Sequence, residues 1–242
     1  MSKSLIFVSG ASSGIGRALV RAVPFDDARS IDISRRGGAG CEHFAADLAD
    51  PAGWRSVDEL FDREIPGFTG ERVVFIHSAG TLEPMGYAGE VDAGQYARNV
   101  LLNSAAPQVL GDAFLRAVAK GSANAWLIFI SSGAASSVYE GWTSYGAGKA
   151  AVDQWVRIAG AEQERRGGRC RVLSVAPGVV ATEMQEQIRA MPTSAFPEVD
   201  KFVALHQGGE LREPAIVARD LWALLDRGHV NGAVLDLRDP ED

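Results

Sequence analysis

The sequence predicts a single-domain α/β fold: a doubly wound parallel sheet with helices on both faces. Three observations predict it. Short apolar runs at 5–8, 73–76, 126–130 and 171–175 read as strands buried on both faces of a sheet. Segments of helical periodicity separate them, so strands and helices alternate along the chain with no internal repeat. The first strand runs directly into Ser9-Gly10-Ala11-Ser12-Ser13-Gly14-Ile15-Gly16, after which Ala18, Leu19, Val20 and Val23 begin a helix. A strand, a glycine-rich turn and a helix in that order form a nucleotide site of the Rossmann type. The glycines admit a pyrophosphate to the backbone, and the helix amino terminus attracts its charge. The spacing is Gly-x3-Gly-x-Gly rather than Gly-x-Gly-x2-Gly.

Length and composition agree. A chain of 242 residues without a composition break fits one large domain. Twenty-four basic against 31 acidic residues give a net charge of −7 with no basic block, which argues against nucleic acid or an anionic membrane as partner. The apolar runs are too short to span a bilayer. Residues 1–8 pass directly into a strand without the architecture of a signal peptide. Cys41 and Cys170 stand far apart and in no metal-ligand spacing. The expectation is a cytoplasmic protein with reduced thiols and no metal.

The second strand, 28–34, ends in Arg35-Arg36 and a glycine-rich link. The end of this strand is where a dinucleotide fold reads the adenosine ribose. A carboxylate there suits NAD, whereas an arginine attracts the 2′-phosphate of NADP. Counting along the strand places that position on Ser34, followed by Arg35, which favours NADP and leaves NAD possible. Ser13 could add a hydroxyl to the same phosphate. Asp32 shares a face with Ser34 by strand alternation and is the competing ribose acceptor. A third strand at 44–46 ends at Asp47-Leu48, where Asp47 either accepts from an adenine amino group or caps a turn. Asp50-Pro51 opens the next helix with an N-cap and a proline at its first position.

After the strand 73–76 come His77, Ser78, Ala79 and Gly80, small residues that allow close cofactor approach. His77 reads better as a partly buried histidine bonded to neighbouring backbone than as a catalytic base. A long helical region is expected from about 88 to 120, containing Asn99 and Asn103. A mid-helix amide is ordinarily solvated, but Asn103 precedes Pro107, which loosens a helix and frees local carbonyls.

The strand 126–130 delivers Ser131 and Ser132 to the sheet's carboxyl edge. Thirteen residues after Ser132, Tyr145 begins Tyr145-Gly146-Ala147-Gly148-Lys149 inside a helix starting near Ser144. Residues four apart share a helix face, so the Tyr145 phenol and the Lys149 ammonium are neighbours. A phenol with a pKa of about 10 is a poor acid or base at neutral pH, and a nearby ammonium draws it toward the working range. Hydroxyl, phenol and ammonium can converge on one carbonyl or carbinol oxygen. Tyr139 and Trp142 either wall a substrate pocket or pack as core. Arg165-Arg166-Gly167-Gly168 stops the helix, and a strand at 171–175 leads to Pro177, Gly178, Val180 and Thr182. The pattern breaks down over 183–212, from Met184 onward, as in a substrate lid. Pro214 opens a helix, and 232–237 gives the last strand.

Taken together, Ser9-Gly10 through Gly14-Ile15-Gly16, Asp47, Ala79-Gly80, Asn103, Ser132, Tyr145 with Lys149, and Pro177-Gly178 with Thr182 resemble the short-chain dehydrogenase/reductase family over nearly the full length. The segments 80–86 and 231–236 are similar to sepiapterin-reductase-type or benzil-reductase-type members. The resemblance implies an NAD(P)-dependent carbonyl reductase or alcohol dehydrogenase acting on a ketone, aldehyde or diketone.

By that resemblance Tyr145 is the general acid/base. Lys149 lowers its pKa and holds the nicotinamide ribose. Ser132 bonds the substrate oxygen, and Asn103 positions a water linking Lys149 to solvent. The dinucleotide falls to Gly10, Ser12, Ser13, Gly14, Ile15, Gly16, Ser34, Arg35, Asp47, Leu48, Ser78, Ala79, Gly80, Tyr145, Lys149, Pro177, Gly178, Val180 and Thr182. The substrate falls to Ser132, Trp142, Tyr145 and Met184. A homodimer or homotetramer is expected, because helices near 99–120 and 145–165 carry apolar residues on more than one face. Two positions depart from the family: Ser9 stands where threonine is usual, and His77-Ser78 where two asparagines are usual. Both chiefly support backbone near the cofactor, so altered stability rather than lost activity is expected. The alternatives are an NAD-dependent alcohol dehydrogenase and a catalytically silent NADP-binding sensor or scaffold. A sugar-nucleotide epimerase is disfavoured, because only 60 residues follow Thr182.

Overall fold

A computed structural model describes residues 3–239. Seven strands form one all-parallel sheet: β1 (Ser4–Ser9), β2 (Ala28–Ser34), β3 (Glu42–Ala45), β4 (Arg72–His77), β5 (Asn124–Ile130), β6 (Cys170–Ala176) and β7 (Val234–Asp236). Their order is β3-β2-β1-β4-β5-β6-β7. The chain steps outward one way from β1 to β3, then returns to place β4 on the other side of β1. A doubly wound sheet opens its ligand crevice at that reversal, beyond the carboxyl ends of the strands.

Strand alternation sorts the core into two layers. Leu5, Phe7, Phe75 and Phe129 face the helices α2 (Pro51–Glu64), α4 (Ala106–Ala119) and α5 (Thr143–Arg166). There Phe61 meets Phe7 and Phe75 at 5.1 Å and Phe114 at 5.5 Å between ring centres, in edge-on or tilted contacts. Ile6, Val8, Ile76 and Ile128 face α1 (Gly14–Arg21) and α8 (Pro214–Ala223), where Trp222 donates to the Leu19 carbonyl at 3.0 Å. The expected stops are present. Asp50 accepts from the Ala52 amide at 2.8 Å ahead of Pro51, and Gly167 ends α5 in the left-handed conformation at φ 62°.

Two expectations need correction. The helical region expected over 88–120 is broken into α3 (Ala93–Val100), a π-helical segment (Leu101–Ala105) and α4. Asp92 sets the start by accepting from the Gln95 amide at 2.8 Å. Pro107 lacks the N–H that a regular helix would return to the Asn103 carbonyl, and the Ala106 amide instead reaches five residues back to Leu101. The segment 183–212 is not irregular throughout. It holds α6 (Glu183–Arg189) and α7 (Val199–Gln207), with the buried Ile188, Phe196, Val199 and Phe202 packed around Trp142. Helices this short are held by tertiary packing, so the local pattern says little about them.

Candidate active site

A cleft of about 850 Å³ opens at the carboxyl edge of the sheet. At one end it is lined by the glycine-rich turn (Gly10, Ser12, Ser13, Gly14, Ile15), by Ser34 and Arg35 after β2, and by Asp47 and Leu48 after β3. Its middle is lined by Ser78, Ala79, Gly80, Pro177, Gly178, Val180 and Thr182. Ser132, Trp142, Tyr145, Lys149 and Met184 line the other end. Folding thus gathers nearly every residue singled out from sequence into one cavity. Gly16 and Asn103 do not line it. A side chain at Gly16 would strike the Gly10 carbonyl at 2.4 Å, so this glycine lets α1 close onto the turn.

The turn is built to approach a ligand. Gly10 has φ +70°, and an added Cβ would lie 2.7 Å from the Ala79 Cα, so the turn is pressed against the residues following β4. Ser13 caps α1 without a side-chain hydrogen bond, which leaves the first amides of the helix uncapped at the edge of the cleft. Uncapped amides at a helix amino terminus beside a glycine cradle fit the pyrophosphate of a dinucleotide. At the ribose end Asp32 is buried and outside the cleft lining. Its carboxylate lies against the Ala11 amide and accepts from the Ser34 hydroxyl at 3.0 Å, and burial pushes its pKa up. Ser34 and Arg35 face the cleft instead. Asp47 caps the following turn by accepting from the Ala49 amide at 3.0 Å, and its other oxygen meets Arg98 at 3.0 Å.

At the opposite end, Tyr145 and Lys149 lie on one face of α5, with the Lys149 Nζ 5.7 Å from the Tyr145 ring centre. The Ser132 hydroxyl stands beside the phenol and accepts from the Ala134 amide at 3.2 Å. Tyr145 is buried, and this desolvation raises its pKa while the Ser132 hydroxyl opposes the rise. The sequence expectation that Lys149 depresses the phenol is therefore not the main effect here. The Lys149 Nζ instead donates to the Ile130 carbonyl at 2.7 Å, and burial brings its own pKa down to about 8. An added Cβ at Gly80 would lie 2.9 Å from the Asn103 Oδ1 and 3.7 Å from that nitrogen, so glycine lets this loop press against the Asn103 amide. Trp142 stacks on Phe196 at 4.5 Å and meets Tyr145 edge-on at 5.6 Å. It is both core and cleft wall.

The amides on the broken helix are buried, not solvated. Asn103 accepts from the Thr81 amide at 3.2 Å and donates to the Thr81 carbonyl and the Asn99 Oδ1, each at 2.8 Å. Asn99 donates to the Glu83 carbonyl at 2.7 Å. The pair fastens the π-helical segment to the loop that carries Gly80. Sequence reasoning missed Asn99 and Thr81; two amides one turn apart ahead of a proline were the available signal. His77 is also more deeply placed than expected. Its Nδ1 bonds the Ser9 Oγ at 3.0 Å, and that oxygen also accepts from the Ser78 and Ala79 amides at 3.1 and 3.2 Å. Burial lowers the His77 pKa to about 3, so the ring is neutral and structural.

A parallel doubly wound sheet whose switch-point cleft joins a dinucleotide cradle to a serine, tyrosine and lysine defines a nicotinamide-dependent oxidoreductase. Comparison with known proteins makes this specific. The short chain dehydrogenase family model matches residues 4–193, and the chain belongs to that family. It is 29% identical over 240 residues to a benzil reductase ((S)-benzoin forming) of Bacillus subtilis, covering 97% of this chain and 98% of that one. It is 31% identical over 262 residues to the sepiapterin reductase of Meriones unguiculatus, covering 96% and 95%. A short-chain dehydrogenase/reductase structure from Saccharomyces cerevisiae superposes with a TM-score of 0.85 at 24% identity over 98% and 97% of the two chains. A Beutenbergia cavernae structure described as a putative NAD(P)-dependent gluconate 5-dehydrogenase, with bound NADP, gives 0.78 at 26% identity over 98% and 95%. The chain is an NAD(P)-dependent oxidoreductase of the short-chain type.

Proposed function

We propose that the protein is an NADPH-dependent carbonyl reductase, acting in reverse as an alcohol dehydrogenase, on hydrophobic or aromatic ketones, aldehydes and diketones. The observation that carries this reading is the convergence of Ser132, Tyr145 and Lys149 beside a wall of Trp142 and Met184 in the dinucleotide cleft. The nicotinamide, when bound, supplies the hydride. The protein's part is proton delivery and charge stabilisation at the substrate oxygen. Tyr145 gives its phenolic proton to that oxygen as negative charge develops, and takes one back in the oxidative direction. The Ser132 hydroxyl, which stands beside the phenol, turns its proton to the same oxygen. Lys149, anchored on the Ile130 carbonyl, places positive charge behind the phenol and holds the nicotinamide ribose. Asn103 orders the loop in front of Lys149 and, by family resemblance, positions a water leading to solvent.

Preference for NADP is supported by Ser34 and Arg35 facing the cleft while Asp32 is engaged beneath the turn. The 2′-phosphate would meet Arg35 and Ser13. Residues 183–212 serve as the substrate lid, their α6 and α7 closing over Trp142. Val100, Val109 and Ile158 are exposed apolar residues on α3, α4 and α5, which supports assembly through these helices into a homodimer or homotetramer. The protein acts in the cytoplasm. The test is a panel of carbonyl compounds followed by loss of NADPH absorbance. Aryl ketones and diketones should be the better substrates, and a clear preference for sugars would overturn the substrate class.

A further inference from the structure

Beneath the catalytic residues lies a buried charge that the scheme above does not use. Ser9, His77, Phe129 and Ser174 are register neighbours on β1, β4, β5 and β6, forming one row across the face of the sheet that α5 covers. Asp153 descends onto this row from α5, only 7% exposed, and accepts from the Ser174 hydroxyl at 2.6 Å. Ser174 is itself wholly buried. Tyr145, Lys149 and Asp153 are spaced four apart, so they form one stripe along the helix. A buried carboxylate is costly unless something compensates it, and a single serine hydroxyl is a weak partner.

Lys149 stands one turn back on the same stripe and feels this carboxylate electrostatically. Its surroundings are Tyr145 and Asp153 on its own helix, His77 from β4, the Ile130 carbonyl from β5 and the Asn103 amide of the π-helical segment. His77 is neutral there, so Asp153 is the one full opposite charge in that set. We propose that Asp153 is a positioning residue of the catalytic centre: clamped by Ser174 one turn behind Lys149, its carboxylate keeps Lys149 in the ammonium form beside Tyr145. This rests on the reading that Tyr145 and Lys149 carry the proton chemistry. Burial alone pulls Lys149 toward neutrality, and Asp153 opposes that pull.

The test pairs Asp153→Asn, which keeps an acceptor for Ser174 but removes the charge, with Ser174→Ala, which keeps the charge but removes the clamp. In the parent, loss of the Lys149 proton near pH 8 should appear as the alkaline limb of kcat/KM for carbonyl reduction. Asp153→Asn should move that limb to lower pH by about one unit, as expected for losing an opposite charge at this range. The loss in kcat/KM should be smaller at low pH than on the alkaline limb, because the ammonium still forms there. Ser174→Ala should shift the limb by less than half as much.

A second readout needs no turnover. The chain has only Lys3, Lys120, Lys149 and Lys201, so the Cε resonances of 13C-lysine protein can be titrated by NMR, with Lys149→Met giving the assignment. The Lys149 signal should titrate at lower pH in Asp153→Asn. An unmoved Lys149 titration accompanied by lower thermal stability would make Asp153 a tether between α5 and β6, and would overturn the proposal. If the parent reduces no carbonyl compound yet its Lys149 titration still shifts, the enzymatic reading fails while the electrostatic coupling stands.

Discussion

Replacing Tyr145 by Phe removes one oxygen atom from the centre of the site. The ring is 7% exposed and packs edge-on against Trp142 at 5.6 Å, contacts that Phe reproduces. The fold loses at most the interaction with the Ser132 hydroxyl, ~1 kcal/mol, offset by relieving a buried phenol. Stability should therefore change by no more than ~1 kcal/mol. The dinucleotide cradle at Gly10 to Gly16 and Ser34–Arg35 lies at the other end of the cleft and is untouched. Turnover is different. A positioned acid is worth ~10² to 10⁴ in rate, or ~3–5 kcal/mol of transition-state stabilisation. The assay is steady-state reduction of the best aryl carbonyl found in the panel, alongside NADPH binding by fluorescence and the melting temperature. kcat should fall at least a hundredfold while the cofactor Kd and Tm stay near the parent. A loss of less than tenfold with an intact fold would refute the assignment of Tyr145 as the proton donor.

Other expectations can be checked directly. Arg35→Ala should lower kcat/KM with NADPH about tenfold or more and leave NADH nearly unchanged, since a charge-assisted phosphate contact is worth ~1.5–3 kcal/mol; an unmoved ratio would transfer the ribose contact to Asp32. His77 is neutral when folded, with a pKa near 3, but takes a proton near pH 6.5 when unfolded. Unfolding then binds protons, so stability should fall by up to ~1.4 kcal/mol per pH unit as pH drops below 6.5, and denaturant melts of His77→Asn should show a shallower acid slope. Phe61→Ala opens a cavity where three phenylalanine rings meet it and should cost ~3–5 kcal/mol, seen as a Tm lowered by roughly 6–20 °C; a fall of under 2 °C would contradict the packing. Ile158, 52% exposed on α5, should lie in a subunit contact, so Ile158→Asp should shift the particle toward a monomer in light scattering.

The sequence by itself determined the alternation of strands and helices, the glycine turn and the placement of Tyr145 with Lys149. Each of these rests on a short-range period or on a residue type that only one local geometry accepts, such as Gly10 at positive φ. What only the tertiary structure decided depends on contacts between residues distant in sequence. The two departures at Ser9 and His77 are partners across 68 residues, a serine supplying the bond that the buried histidine needs, and neither position alone announces the other. Asp32 and Ser34 share a strand face, yet only the closure of the turn over Ala11 placed Asp32 beneath it and left Ser34 and Arg35 in the cleft. The break at 101–105 was hinted at by Pro107, but the burial of Asn99 and Asn103 required the loop at Thr81 to be folded against them. The two helices within 183–212 had too few turns to declare themselves and are held where Phe196 and Phe202 pack on Trp142. Local periodicity is written in the chain, whereas burial, and with it every shifted pKa in the site, is a property of the assembled molecule.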